Sequence, residues 1–573
     1  MDEKINLCYQ YWLNNLKSIS TDDYQSLLSI KDEKTITDLF FKDLTFGTGG
    51  LRGVMGLGSN RLNFYTIYRA THGLALYLKS KKQYPKIVIG YDSRKNSFEF
   101  AFLVAKVMSN LGIESYLFKE LIPTPIVSYA IRKLKADGGV IITSSHNPRE
   151  YNGYKVYNDE GSQITLKAAQ EITTRINSID LFKDYLSLTS LGETTRIHYI
   201  DEKLIDDFIQ STLRVSLLND FSPKDVNIVY TPLNGTGLKP VLTILEKAGF
   251  KHVSVPALQR DPDENFTTCP FPNPELKEAL TLGIQLCHEV NADLLLATDP
   301  DCDRCGIGVK YHDQFLLLSG NEVAILLLNF FLETKDCSQK EIVHSIVSTS
   351  LVDHIADKNG IEVKHVLTGF KYIGEEINRL EKEGQTDRFL FGFEESYGYL
   401  TNTEVRDKDA VNAALIIAEM FYYYKVRGIN LIDKLEEIYQ LYGYNKNILL
   451  WHTFAGKNGM EFMNETMHAL RQMSFCQLDE FFHSTVIQID DFLVGKQITS
   501  ENKQTELTLP QSDVLIFYFN DGARLAIRPS GTEPKLKCYI EVICKEKNKV
   551  EEKLAFYQKA FERIIGEKHE EHL

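Results

Sequence analysis

The sequence predicts an α/β protein built from several domains, and three observations lead there. The chain has 573 residues, more than one hydrophobic core serves, which suggests roughly three to five domains. Short apolar runs, among them Ile87-Val88-Ile89, Gly139-Val140-Ile141-Ile142 and Val226-Asn227-Ile228-Val229-Tyr230, read as buried strands. Each run ends in a polar or glycine-bearing loop with helical sequence to follow, and strand–loop–helix units of this kind assemble into largely parallel sheets.

Composition narrows the function classes. Apolar content of 43% and charged content of 25% are those of an ordinary soluble protein. The net charge of −14 argues against a general nucleic-acid binder, which needs a basic surface, but leaves room for an anionic small molecule in a locally positive cleft. The most apolar segments, Phe315–Phe331 and Ala410–Tyr424, are interrupted by Asn321, Glu322, Asn412 and Glu419, so no membrane span is expected. The acidic start lacks a signal-peptide pattern, and nine cysteines, an odd number, fit a reduced, cytoplasmic compartment. Cys302 and Cys305 have C-x-x-C spacing, but no second pair or nearby histidine completes a zinc site, and the histidines do not cluster.

Taken in order, residues 1–40 read as a helical extension, with Tyr9, Trp12, Leu13, Leu16, Leu27, Leu28 and Ile30 at helical spacing. A first domain is expected over 41–215. It opens on glycines at 47, 49, 50, 53 and 56 with Arg52 among them. Glycine admits close approach of a ligand, and the arginine favours an anion. The strand at 87–89 leads to Asp92-Ser93-Arg94, where Arg94 reads as structural, and Ser97 reads as the cap of a helix to about Ser109 that Gly112 stops. The run Thr143-Ser144-Ser145-His146-Asn147-Pro148 then places hydroxyls, an imidazole and an amide at a strand end, stiffened by proline, where open α/β sheets bind ligands. A capped turn and a nucleophilic serine are both compatible with it. Lys155, ten residues beyond Ser145, can fold back as a proton carrier. An irregular linker is expected over 180–195.

A second domain is expected over 216–318, with a loop over 261–275. Its strongest signal is Asp299-Pro300-Asp301-Cys302-Asp303-Arg304, three carboxylates after an apolar run. Alternation in an extended loop would point all three one way. Close like charges repel unless a cation holds them, and an all-oxygen set suits Mg²⁺; a solvated acidic turn is the alternative. A third domain, 319–450, holds Thr368-Gly369-Phe370-Lys371 and Glu394-Glu395-Ser396, groups able to accept from and donate to vicinal hydroxyls. A fourth, 451–573, holds Arg528-Pro529-Ser530-Gly531-Thr532, a rigid phosphate cradle of guanidinium, hydroxyls and a glycine N–H.

Together these motifs resemble the α-D-phosphohexomutases, the family of phosphoglucomutase and phosphomannomutase. The serine loop with Tyr151-Asn152-Gly153-Tyr154-Lys155, the D-x-D-x-D-R loop, the Glu394/Ser396 loop and the phosphate cradle occur in that family's order across nearly the whole chain. Ser144 and Cys302 stand where the family usually has alanine. The resemblance implies three related α/β domains with mixed, largely parallel sheets and a smaller C-terminal α+β domain around a central cleft. It assigns phosphorylation to Ser145, catalytic roles to His146, Lys155 and Arg304, and Mg²⁺ to Asp299, Asp301, Asp303 and a phosphoserine oxygen on Ser145. Substrate contacts fall to Arg52, Thr368, Gly369, Lys371, Glu394, Ser396, Arg528, Ser530, Gly531 and Thr532. Lys155 would need a lowered pKa to take a proton from the attacking hydroxyl. The implied activity is interconversion of glucose 1-phosphate and glucose 6-phosphate, primed by glucose 1,6-bisphosphate, by a cytoplasmic monomer or homodimer without nucleic-acid or membrane partners. The phenylalanine–lysine pair at 370–371 favours glucose. Mannose or pentose phosphates within the family, and a metal-dependent serine phosphatase outside it, are the alternatives.

Overall fold

The computed structural model describes residues 2–190, 194–454, 456–530, 535–566 and 570–571. Four sheets follow one another along the chain. In the first, the strand Lys86–Tyr91 lies between Gly138–Ile142 and Glu114–Leu117, all parallel, with Ile197–Tyr199 parallel at one edge. Tyr151–Tyr157 and Leu51–Val54 complete the other edge in antiparallel sense. In the second, Lys224–Thr231 is parallel to Phe250–Ser254 and Leu294–Thr298, and Cys305–Tyr311 returns antiparallel beside the latter, followed by Gln314–Leu318. In the third, Glu362–Val366, Glu341–Ser345 and Phe389–Glu394 are parallel and Gly398–Leu400 returns antiparallel. The fourth is an eight-stranded antiparallel sheet that packs against helices including Asn548–Ile565.

The first three sheets share one device. One parallel strand turns straight back into an antiparallel neighbour, and the turn is the polar loop singled out from the sequence. It joins 142 to 151 in the first sheet, 298 to 305 in the second and 394 to 398 in the third. Each loop therefore sits at the carboxyl end of its parallel strands, where backbone groups and side chains are free for a ligand. One continuous apolar core joins these three units, running from Val88 and Ile141 through Leu294 and Val309 to Phe391 and Leu435. A smaller cluster, with Ile346 and Leu367 against Phe492, Val514 and Tyr539, joins the third unit to the last.

Several local expectations are revised. The N-terminal extension is three helices, Glu3–Ile19, Thr21–Ser29 and Glu33–Phe40, rather than one. Ser20 ends the first and caps the second by accepting from the N–H of Asp23 at 3.2 Å. Trp12, 1% exposed, meets the rings of Phe40, Tyr65 and Phe182 edge-on at 5.2–5.8 Å and so anchors the extension to the first unit. Ser97 does not cap its helix: Asn96, at φ +61°, holds that position, and the Ser97 hydroxyl instead donates to Asp92 at 2.8 Å. The linker expected over 180–195 contains a short helix, Tyr185–Thr189. The last sheet begins before Trp451: the strand Tyr444–Thr453 pairs along its whole length with Lys535–Cys544, and its burial, confined to Asn445 and Leu450, shows no alternation that would mark the strand locally. The loop over 261–275 is irregular as expected. Among the described residues no helix is long and apolar enough to cross a membrane.

The opening loop of the second unit braces its acidic loop. Thr236 donates through its N–H and hydroxyl to the carbonyl of Pro300 at 2.8 and 2.9 Å, and a Cβ on Gly235 would lie 2.4 Å from Pro300 Cα. Gly235→Ala is therefore expected to destabilise the fold by about 1–3 kcal/mol through overpacking and to lower activity by displacing Asp299 and Asp301. Thermal unfolding alongside a turnover assay checks both effects.

Candidate active site

The serine loop is held by a buried guanidinium. Arg94 donates to the carbonyls of Ser145, Asn147, Pro148 and Tyr151, the last two at 2.8 and 3.2 Å, and its Nε lies 3.3 Å from Asp92. Both side chains of that pair are fully buried. Five carbonyl and carboxylate partners for one planar fork fix the loop's path, in keeping with the structural reading of Arg94. Ser145 sits at φ +54°, an uncommon conformation for a non-glycine residue. Its N–H donates to Thr143 Oγ1 at 2.8 Å.

The loop delivers Ser145, not Ser144, to the acidic cluster. Ser145 Oγ donates to Asp299 Oδ2 at 2.8 Å and lies 3.3 Å from His146 Nδ1. Ser144 is fully buried and its hydroxyl finds no partner among the described residues. Burial first, then the charges of Arg304, Arg52 and Arg94, push the His146 pKa well below the ordinary histidine value, so this imidazole is neutral at neutral pH.

Asp299, Asp301 and Asp303 are all buried and offer oxygens within 4.8 Å of one another. They converge by a route other than the expected one. The loop is not extended: Cys302, at φ +52°, closes a turn in which its N–H donates to the Asp299 carbonyl at 2.9 Å, and this turn gathers the carboxylates. Asp299 Oδ1 accepts from the N–H groups of Asp303 and Arg304, both at 3.0 Å. Asp301 Oδ2 accepts from Thr124 Oγ1 at 2.8 Å and from Lys155 Nζ at 2.7 Å. Burial and the charges of Asp301 and Asp303 raise the Asp299 pKa well above the usual carboxylate range; for Asp301, burial is outweighed by Lys155 and the hydroxyl of Thr124, and its pKa falls.

This donor set fits a hard divalent cation. Asp301 Oδ1 and Asp303 Oδ1 are buried with no hydrogen-bond partner among the described residues, a costly state that a cation would relieve. Every available donor is oxygen, with no imidazole or thiolate among them. Cys302 and Cys305 are buried free thiols whose pKa burial pushes up, which makes them inert packing groups.

Lys155 reaches the cluster because its strand runs back beside Gly138–Ile142, with Ile141 opposite Lys155. The lowered pKa expected for it is not found. Burial pulls it down, but Asp301 and Asp303 outweigh burial and hold it above the ordinary lysine value. Lys408 is a second buried ammonium in the cluster, with Nζ 3.2 Å from Asp303 and 3.5 Å from Asp407; Asp407 in turn accepts from Tyr157 OH at 2.7 Å.

The third unit contributes Glu394, whose Oε1 accepts from the N–H of Gly369 at 2.7 Å. Burial and neighbouring Glu395 push its pKa up to about 7 against the pull of Lys408 and Arg304. Thr368, Gly369 and Ser396 are half-buried at the same loop cluster. Lys371 is buried beside the Tyr372 ring at 4.7 Å, with burial lowering its pKa, and has no contact with the acidic cluster among those described. Arg304 pairs with Glu275. Arg52 is exposed on its strand yet close enough to act on His146. From the last sheet, Arg528 donates to Tyr539 OH at 3.3 Å and feels the charges of Glu394 and Glu395. The N–H of Ser530 donates to the Lys535 carbonyl at 2.7 Å. Gly531 and Thr532 lie outside the described residues.

Thr124, Glu275 and Lys408 were not singled out from the sequence. Lys408 stands in the run Arg406-Asp407-Lys408-Asp409 that leads into the helix Ala410–Lys425, a pattern that locally signals only a helix start. Nothing in Pro123-Thr124-Pro125 beyond turn chemistry announces a contact 177 residues away.

A serine hydroxyl facing a buried acid cluster that could hold a divalent cation is an arrangement suited to metal-assisted phosphoryl transfer. The chain belongs to the phosphoglucomutase/phosphomannomutase family: its alpha/beta/alpha domains I, II and III match residues 43–183, 205–312 and 319–442, and its C-terminal domain matches 490–555. A phosphoglucomutase of Staphylococcus epidermidis is 36% identical over 539 residues, covering 93% of this chain and 96% of that one. One of Staphylococcus aureus strain USA300 is 36% identical over 522 residues, covering 90% and 92%. The fold is shared with parafusin, a phosphoglucomutase from Paramecium in its open form, at a TM-score of 0.67 and 18% identity over 91% of this chain and 95% of that one. It is also shared with a family protein from Burkholderia thailandensis, at 0.64 and 15% over 91% and 98%. The chain is thus a phosphohexomutase-type isomerase.

Replacing Arg94 leaves Asp92 buried and unpaired and frees four loop carbonyls. Arg94→Ala is expected to lose about 3–5 kcal/mol of stability and to abolish phosphorylation of the loop. Denaturant unfolding and intact-mass analysis after incubation with a sugar bisphosphate measure the two.

Proposed function

We propose that this protein is a phosphoglucomutase that interconverts glucose 1-phosphate and glucose 6-phosphate through a phosphoserine at Ser145. The observation that carries the reading is the 2.8 Å contact of Ser145 Oγ with Asp299 inside the triad. Relatives named phosphoglucomutase along nearly their whole length support glucose as the sugar.

In this reading the free hydroxyl of the bound sugar phosphate attacks phosphorus, the bond from phosphorus to Ser145 Oγ breaks, and a glucose 1,6-bisphosphate forms. That bisphosphate turns over, and its other phosphoryl group returns to Ser145, so enzyme and charge are restored. Asp299, Asp301, Asp303 and a phosphoserine oxygen would hold Mg²⁺, which supplies charge stabilisation for the transferring group. Lys155 is the proton carrier. With the aspartates free it stays charged; Mg²⁺ bound to them would offset that pull, so that Lys155 takes the proton of the attacking hydroxyl and passes it to the departing Oγ. Neutral His146, packed beside Ser145, orients that oxygen. Glu394 and Ser396 hold sugar hydroxyls, with Thr368, Gly369 and Lys371 behind them. Arg304 and Arg52 contribute positive charge, and Arg528, Ser530, Gly531 and Thr532 hold the phosphate that is not reacting. Ile346 and Leu367 pack against the last sheet, and closure of that sheet over the cleft would keep water from the phosphoserine.

Initial rates on glucose 1-phosphate, mannose 1-phosphate and ribose 1-phosphate, with Mg²⁺ and trace glucose 1,6-bisphosphate, test the proposal. A glucose rate at least tenfold above the others is expected. A ribose or mannose preference would overturn the substrate, and release of free phosphate without isomerisation would mean that water reaches the site and the phosphatase reading holds.

A further inference from the structure

Two of the fourteen histidines, 21 positions apart in the sequence, meet in the third unit. His344 lies on the strand Glu341–Ser345 and His365 on Glu362–Val366. The two strands are parallel neighbours with these residues directly paired, so both rings leave the same face. Asp353 comes from Leu351–Lys358, the helix that joins the two strands. Its Oδ1 lies 3.0 Å from His344 Nε2 and 2.9 Å from His365 Nε2. One strand–helix–strand unit thus collects two imidazole nitrogens and a carboxylate with no help from elsewhere in the chain.

The orientation of His344 is the telling feature. Its Nδ1 lies 3.0 Å from the backbone carbonyl of Ser345, an acceptor only, so Nδ1 bears the hydrogen. In the neutral ring Nε2 then carries a lone pair, and that lone pair is aimed at a carboxylate oxygen, which is also an acceptor. The ring cannot turn away: it is buried, stacked on Phe393 at 5.1 Å and met edge-on by the His365 ring at 4.9 Å. A carbonyl that fixes Nδ1–H and leaves Nε2 free is the usual support of a histidine that binds metal.

We propose that His344, Asp353 and His365 form a transition-metal site, of the Zn²⁺ class, separate from the aspartate triad. The three ligand atoms lie within 4.8 Å of one another, with Asp353 Oδ1 2.9–3.0 Å from both imidazole nitrogens, so a small rotation of the half-exposed His365 ring brings all three within about 2.0–2.2 Å of one ion. The two-nitrogen, one-oxygen set selects Zn²⁺ or its neighbours over Mg²⁺. The Asp353 and His365 side chains are 25% and 49% exposed, so the ion can enter, the carboxylate can swing back to admit it, and solvent can complete the coordination. The ion would cross-link the strand–helix–strand unit directly behind the substrate loop, since Ser345 and Ser348 donate to Glu395 at 3.2 and 3.3 Å. From the last sheet, Arg524 donates to the nearby Ile346 carbonyl at 3.1 Å and feels the Asp353 charge.

The test uses the full chain, stripped with chelator and dialysed against Zn²⁺ in millimolar Mg²⁺, with parallel Co²⁺ loading. One equivalent of Zn²⁺ is expected to remain in the wild type and in Asp301→Asn, to raise the thermal midpoint, and to be lost in His365→Ala. That variant removes a half-exposed ring and should fold, as circular dichroism would verify. Co²⁺ should give visible d–d absorption without a thiolate charge-transfer band. Equal zinc in wild type and His365→Ala, zinc lost only in Asp301→Asn, a thiolate band, or no zinc at all would each overturn the proposal. The last result would leave the two imidazoles as a charged pair on Asp353.

Discussion

Three buried carboxylates within 4.8 Å of one another are the constraint on which the site depends. Close, desolvated like charges are tolerated only when something positive or hydrogen-bonding answers each of them. No single unit of the chain can supply that answer. The second unit gives the backbone N–H groups of Asp303 and Arg304, the first gives Thr124, Ser145 and Lys155, and the helix entry of the third gives Lys408. The two oxygens left without hydrogen-bond partners are those that a cation bound in the triad would answer. Folding the first three units onto one core and assembling the site are therefore the same event.

Geometry makes this economical. In each of the three α/β units one parallel strand doubles back into an antiparallel neighbour, and the doubling-back is the loop that carries the candidate site residues. A loop tied at both ends to adjacent strands is short and stiff, so it can hold a strained residue such as Ser145 at φ +54° or Cys302 at φ +52°. The return strand also carries a residue back beneath the loop it has just made. This is how Lys155, opposite Ile141, comes to face an aspartate 146 positions further along the chain.

Much of this was legible in the sequence because it is local. Apolar runs marked the strands, and prolines, glycines and clustered polar residues marked the loops between them. What was not legible is what depends on partners distant in sequence. The pKa of Lys155 was expected to be lowered from its assigned chemistry, whereas Asp301 and Asp303, across a domain boundary, outweigh burial and raise it. Thr124 and Lys408 carry no local signal for the contacts they make. The convergence of the aspartates was foreseen but attributed to strand alternation, whereas a turn at Cys302 produces it. Trp451 looked like a domain start because the strand Tyr444–Thr453 has mixed burial, and only its pairing with the far C-terminal strand Lys535–Cys544 reveals where that sheet begins.

The proposed chemistry places the reaction on one atom, the Oγ of Ser145, and the neighbouring Ser144 is the natural competitor. Burial and lack of partners set Ser144 aside, while Asp299 and His146 attend Ser145. The most direct test is transfer of label from ³²P-glucose 1,6-bisphosphate to the protein, followed by peptide mapping of the wild type and of Ser145→Ala. One phosphoryl group per chain on Ser145, with label and turnover both lost in Ser145→Ala, is the expected result. Label on Ser144, or undiminished turnover in Ser145→Ala, would contradict the account.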